Sequence, residues 1–155
     1  MSNIPEYTVS ALEDHLGYWL RYVSNHVSGA FAQALQTRQV SVAEWVALWH
    51  IHNRETMTPG ELADLIGMTR GAVSKVLTKL ENKAWIARTI DAADSRVQWL
   101  TLTSAGQQIL PALAQLADHN DAYFFGGLSQ AEQATLRSLL KKLTQIHQWH
   151  SVPVD

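Results

Sequence analysis

No cysteine occurs in the 155 residues of this chain. That excludes a disulfide scaffold, thiolate zinc ligation and any redox switch built on a thiol. Charge is sparse: Asp, Glu, Lys and Arg make up 17% of the chain, and the net charge is −2. At 46% hydrophobic residues the composition is not that of a disordered chain, and it supplies one domain with a core. A global positive excess is also missing, so any nucleic-acid site has to come from local basic clustering. No run approaches the roughly 18 apolar residues that span a bilayer, and no membrane partner is expected. The N-terminal stretch is polar and carries Glu6, unlike a secretory leader, so a soluble cytoplasmic protein is the expectation. The signatures of catalysis are absent too. There is no nucleophile motif, no phosphate-cradling glycine loop and no catalytic carboxylate pair, and the chain reads as a non-enzyme without a cofactor.

What is present begins with helix starts. Ser10 with Glu13, Ser41 with Glu44, Thr58 with Glu61, and Ser129 with Glu132 all read S/T-x-x-E. In this box the hydroxyl accepts from an early helix N–H and the carboxylate reaches back to the cap's own N–H. Apolar periodicity predicts helices over 11–35, 42–52, 59–66, 70–83, 104–125 and 130–149, with strands over 86–90 and 97–102. Pro111 falls inside the fifth helix and should bend it, Gly126 and Gly127 end it, and residues 152–155 should fray. A first helix of about 25 residues is about 37 Å long, against a radius of gyration near 15 Å for a compact chain of this size. Such a helix projects, and its apolar stripe needs a partner: the later helices of the same chain, or a second copy. The fold class is therefore mainly α with a small β-hairpin. The terminal regions 1–40 and 104–155 flank a middle region, 41–103.

That middle region carries a helix-turn-helix pattern. Ala63 stands where two helices approach, and Gly67 stands at a turn where positive φ is needed. Leu62, Ile66, Met68, Val73 and Val76 have the spacing that packs the pair together. The outward positions of the second helix are Thr69, Arg70, Gly71, Ser74, Lys75, Thr78 and Lys79. Arg70, Lys75, Lys79 and Lys83 are opposed in this stretch only by Glu81, a bias that a solvated structural helix does not need. Short polar residues near a helix N-terminus reach base edges, and long cations reach phosphates or guanine. In the hairpin, the candidate DNA-binding residues are Arg88 on the first strand and Asp94, Ser95 and Arg96 at the tip, beside Asp91. A tip arginine beside a recognition helix fits the narrow minor groove of A·T-rich DNA, with the aspartates orienting it or capping the turn.

These segments resemble the MarR (multiple antibiotic resistance regulator) family of winged helix-turn-helix regulators. The likeness is carried by Thr58-Pro59-Gly60-Glu61-Leu62-Ala63 through Val73-Ser74-Lys75 to Leu80-Glu81, by Asp91, Asp94 and Arg96, and by Leu102 to Gly106. It implies a triangular homodimer joined through the first, fifth and sixth helices. The fourth helix would enter the major groove of a pseudo-palindromic operator and the wing arginine the minor groove, most often for repression. The family's usual glycine after the fourth helix is replaced by Ala84. If that position keeps a left-handed backbone, alanine costs about 1 kcal/mol there.

The resemblance also implies control by a small aromatic or phenolic anion bound between the DNA-binding and dimerisation parts. Tyr18, Trp19, Arg21, Tyr22, His26, Trp45 and Trp49 are the candidates, with Arg21 as carboxylate partner. Core packing is the competing reading, favoured for Trp45 and Trp49. A metal-responsive regulator is an alternative, but the histidines have no H-x-x-x-H spacing and no metal site is assigned. A protein-interaction module on the same scaffold, without DNA readout, is the other alternative.

Overall fold

A computed structural model of the chain describes residues 8–150. The elements are α1 (Leu16–Gln36), α2 (Val42–His52), α3 (Pro59–Ile66), α4 (Arg70–Asn82), β1 (Ile86–Ile90), β2 (Gln98–Leu102), α5 (Ser104–Phe125) and α6 (Gln130–Ile146). The terminus expected to fray lies outside the described residues. Three of the four capping boxes close as read. Ser41, Thr58 and Ser129 accept from the N–H of Glu44, Glu61 and Glu132, and each glutamate accepts its cap's N–H in return.

The Ser10 box does not close. Asp14, one residue beyond Glu13, takes the Ala11 N–H at 3.0 Å, and Leu12–Asp14 forms a 3-10 turn. His15 is then extended, at φ −98° and ψ 125°, so α1 starts at Leu16 and not at Ala11. At 21 residues it is about 31 Å long. α1 and α4 each end within one residue of expectation, and two further boundaries differ for a local reason. Val97 donates to Asp94 O in the hairpin tip, which delays β2 to Gln98. Gln148, at φ 54°, lets Trp149 N–H turn back to Thr144 O and closes α6 at Ile146. α5 continues through Pro111.

β1 and β2 pair antiparallel, from Ile86 opposite Leu102 to Ile90 opposite Gln98. The Leu100 N–H donates to Met57 O at 2.7 Å, tying the hairpin to the loop ahead of α3. The core is centred in the middle of the chain, on Leu48, Met57, Leu62, Ile66, Val73, Leu77, Leu80 and Leu100, and is closed by Leu35 and Leu113 from the flanking helices. Ala63 is buried where α3 meets α4, and Gly67 sits at φ 67° as the left-handed cap between them. At Gly106 a Cβ would lie 2.1 Å from Trp85 O, so only glycine lets the first turn of α5 press on the base of the hairpin. Thr103 fastens the same junction: its N–H donates to Trp85 O and its hydroxyl to Ala84 O.

Candidate nucleic-acid interface

On α4, Val73, Val76, Leu77 and Leu80 are buried, while Thr69, Arg70, Gly71, Ser74, Lys75, Thr78 and Lys79 are all exposed. The helical period puts the outward residues in two adjacent i, i+4 rows. The threonines are polarised in opposite senses. Thr69 caps the helix and accepts from Ala72 N–H at 3.2 Å, so its hydroxyl proton is free to donate outward. Thr78 donates to Ser74 O at 2.9 Å, so it faces outward as an acceptor. Among the described residues, Arg70, Lys75 and Lys79 enter no ion pair.

Two cations of this region are committed internally. Lys83 pairs with Glu44 at 2.7 Å, and Arg88 pairs with Glu81. The second pair neutralises the only anion of α4 and fixes β1 to its last turn. Arg88 is thereby placed at the wing's root, half-buried, and not at its tip.

The tip is built by its two aspartates. Asp91 Oδ1 accepts from the N–H groups of Ala93 and Asp94, and its Oδ2 accepts from Trp99 Nε1, each at 2.9 Å. The Trp99 hydrogen bond leads the causes that hold the Asp91 pKa below its usual range. Asp94 grips Arg96 through two side-chain bonds, at 3.1 and 3.2 Å, and holds its backbone N–H at 3.0 Å. The Arg96 bond likewise leads the lowering of the Asp94 pKa. Arg96 is nevertheless 89% exposed, and its remaining N–H groups are open to solvent beside Ser95. Asp94 orients the guanidinium and Asp91 caps the turn, the two roles read from the sequence.

The aromatic candidates fall into separate contact groups. Tyr18, Tyr22 and His26 form a ladder along α1, with centroid distances of 6.2 and 5.0 Å, and Trp19 meets Tyr18 edge-on at 5.2 Å. Arg21 is exposed on the same helix. Trp45 packs edge-on against Phe31, and Trp49 against His50. A 610 Å³ apolar groove runs between α1 and α6, and of the seven candidates only Trp19 lines it. Among the described residues no three His, Asp or Glu side chains are grouped to hold a metal. No helix among them is long and apolar enough to cross a membrane.

The pair between the half-buried Lys83 and the buried Glu44 was not anticipated. Glu44 already had a local role in its capping box, and nothing local in the sequence points to a partner 39 positions away.

A helix-turn-helix with an unpaired polar stripe on its second helix and an arginine-tipped hairpin beside it defines a winged-helix protein of the nucleic-acid-binding class. The MarR family model matches residues 40–98. A Thauera aromatica protein named as a putative transcriptional regulatory protein for the hcr operon is 30% identical over 143 residues, covering 92% of this chain and 86% of that protein. A mutant MarR from E. coli, solved in complex with operator DNA, superimposes with a TM-score of 0.73 at 27% identity, over 83% of this chain and 92% of that one. BpsR of Bordetella bronchiseptica, whose DNA binding is regulated by 6-hydroxynicotinic acid, shares the fold with a TM-score of 0.77 at 22% identity, over 88% and 98%. The chain belongs to the MarR family of transcriptional regulators.

Proposed function

We propose that the chain works in the cytoplasm as a homodimeric repressor that reads a pseudo-palindromic operator. Residues 41–103 form the DNA-binding part, and 1–40 with 104–155 the dimerisation part. The observation that carries this reading is the face of α4, where Arg70, Lys75 and Lys79 are exposed without ion-pair partners among the described residues, beside Thr69, Ser74 and Thr78. Cations left uncompensated on one helix face suit a phosphate backbone, and the interleaved hydroxyls suit base edges. Gly71 lets the helix start approach closely. Arg96 takes the minor groove, with Asp94 and Ser95 supporting it, and Arg88 serves by holding the wing. The dimer is favoured by α6, which buries no residue on its own chain while exposing Leu139, Leu143 and Ile146. The operator complex of the E. coli MarR mutant is in keeping with the DNA-binding reading.

The effector we propose is a small aromatic or phenolic anion, a class to which 6-hydroxynicotinic acid, the regulator of BpsR, belongs. The α1 ladder of Tyr18, Trp19, Tyr22 and His26 supplies stacking surface, Arg21 the cation, and Trp45 and Trp49 a second wall. No catalytic step is assigned. Gel shift and footprinting on the DNA flanking the protein's own gene test the main reading. A symmetric footprint with half-sites about one helical turn apart, ~34–36 Å, is expected. An asymmetric half-site, or no binding, contradicts it.

A further inference from the structure

A single ammonium group joins four parts of this molecule. Lys83 is the C-cap of α4. Its Nζ donates to the Gln39 carbonyl and, at 2.7 Å, to Glu44 Oε2, and it lies 5.0 Å from the centroid of the Trp85 ring. Glu44 is only 3% exposed, and the same Oε2 accepts from the Ser41 N–H at 3.1 Å. Gln39 stands at φ 57° in the turn that leads from α1 into α2. One charge therefore fastens the end of the recognition helix to the end of α1, to the cap of α2 and to the base of the wing.

Net stability is a poor explanation for this pair. Burying the Glu44 carboxylate offsets much of the attraction, the half-buried Lys83 keeps part of its solvation, and apolar replacements of buried pairs are often neutral or better. Geometry is the better one. The apolar contacts of Val73, Leu77 and Leu80 hold α4 against the core but are non-directional, whereas charge-assisted hydrogen bonds fix both distance and direction. We propose that Lys83 is a positioning residue for DNA recognition: through Glu44 and the Gln39 carbonyl it locks the pitch of α4 to the end of α1. The helices that set the dimer then also set the spacing between the two recognition helices. This inference rests on the DNA-binding reading above, and it takes Lys83 away from the phosphates.

The test compares wild type with Lys83→Met, Lys83→Arg and the double variant Glu44→Gln with Lys83→Met. Lys83→Met alone leaves a buried carboxylate unpaired and can fail to fold. The double variant removes both charges, while the amide oxygen introduced by Glu44→Gln can still accept from Ser41. Because the chain has no cysteine, Thr78→Cys in each background carries the sole spin label, and the distance across the dimer is read without DNA. Broadening of that distribution in the double variant, with wild-type width kept in Lys83→Arg, is the expected result. In the unlabelled proteins, with Thr78 intact, affinity for the gene-flanking DNA should fall about tenfold in the double variant with the salt slope unchanged, since no phosphate contact is lost. A distribution as narrow as wild type with affinity within twofold overturns the proposal. So does a salt slope reduced by about one, which would make Lys83 a phosphate contact. If wild type itself fails to bind DNA, the function proposed above falls, and the distance measurement still decides the tether.

Discussion

Leu77 and Leu139 each belong to the apolar stripe of an amphipathic helix, yet Leu77 is fully buried and Leu139 is 56% exposed. The contrast holds for the regions around them. α4 buries four side chains in a core shared with α2, α3 and β2, whereas α6 buries none and α1 buries only Leu35. The middle of the chain has a core closed within one chain, with Leu35 of α1 and Leu113 of α5 completing it. The terminal helices carry the same kind of pattern and leave it open, with Trp19, Leu20, Val23, Leu139, Leu140 and Leu143 all exposed. A row of exposed apolar side chains along two neighbouring helices marks an association surface. Amphipathicity says that a face is to be buried; it does not say by which copy of the chain.

The largest expected effect breaks the comparison on its closed side. Leu77→Ala should cost about 2–5 kcal/mol of unfolding free energy, from lost burial and the cavity left behind. Urea denaturation followed by circular dichroism should show that loss equally at every protein concentration. On the open side, Leu139→Ala should cost about 2 kcal/mol of dimerisation energy, in the range of an interface anchor. Its melting point should fall most in dilute protein and recover as concentration rises. A loss independent of concentration would place Leu139 in a monomer core instead.

A smaller effect concerns the turn that joins α4 to β1 within the closed region. Ala84 adopts φ 58°, and the helix ends there as a Schellman turn, with Ala84 N–H on Glu81 O and Trp85 N–H on Leu80 O. The left-handed backbone is present without the glycine that makes it cheap. Ala84→Gly should raise stability by about 1 kcal/mol and Tm by about 3 °C, seen by scanning calorimetry. An unchanged or lower Tm would mean that the alanine methyl contributes packing that offsets its strain.

The smallest effect is electrostatic. Burial, and then the Arg54 charge, lower the His50 pKa from its usual 6.5. The unfolded chain takes up this proton more readily than the folded one, so stability falls as pH drops from 6.5 through the lowered value. His50→Gln should flatten that segment of the stability–pH curve, and an unchanged segment would assign the effect to another group. Asp91 and Asp94 act in a lower window. Their depressed values mean that wing order is present above the ordinary carboxylate range and is lost as pH falls through the folded-state values.

What the sequence disclosed divides along the same line. The recognition stripe was legible because a helix repeats every few residues, so that Thr69 to Lys79 and the buried Val73 and Leu77 sort themselves by spacing alone. The capping boxes at Ser41, Thr58 and Ser129 were legible for the same local reason. The Ser10 box misled because Asp14 competes with Glu13 for one turn of chain, a contest that spacing cannot decide. Gly106 was visible as part of a motif, but its necessity lies in the Trp85 carbonyl beneath it. The Lys83–Glu44 pair needed the fold itself. Trp45 packs against the core, as favoured, whereas the aromatic residues of α1 could not be sorted into core or pocket because they lie on a helix that one chain leaves largely exposed.

The central claim is that the stripe on α4 binds DNA phosphates from a dimer, and the salt dependence of binding to the gene-flanking DNA tests it most directly. For about 6–10 phosphates neutralised, log K should fall against log salt with a slope of several units, and Lys79→Ala should reduce that slope by about one. Arg96→Ala should weaken binding chiefly to A·T-rich flanks, where groove width is what an inserted arginine senses. A nearly flat salt dependence, unchanged by Lys79→Ala, would contradict the account and favour a protein-interaction module on this scaffold.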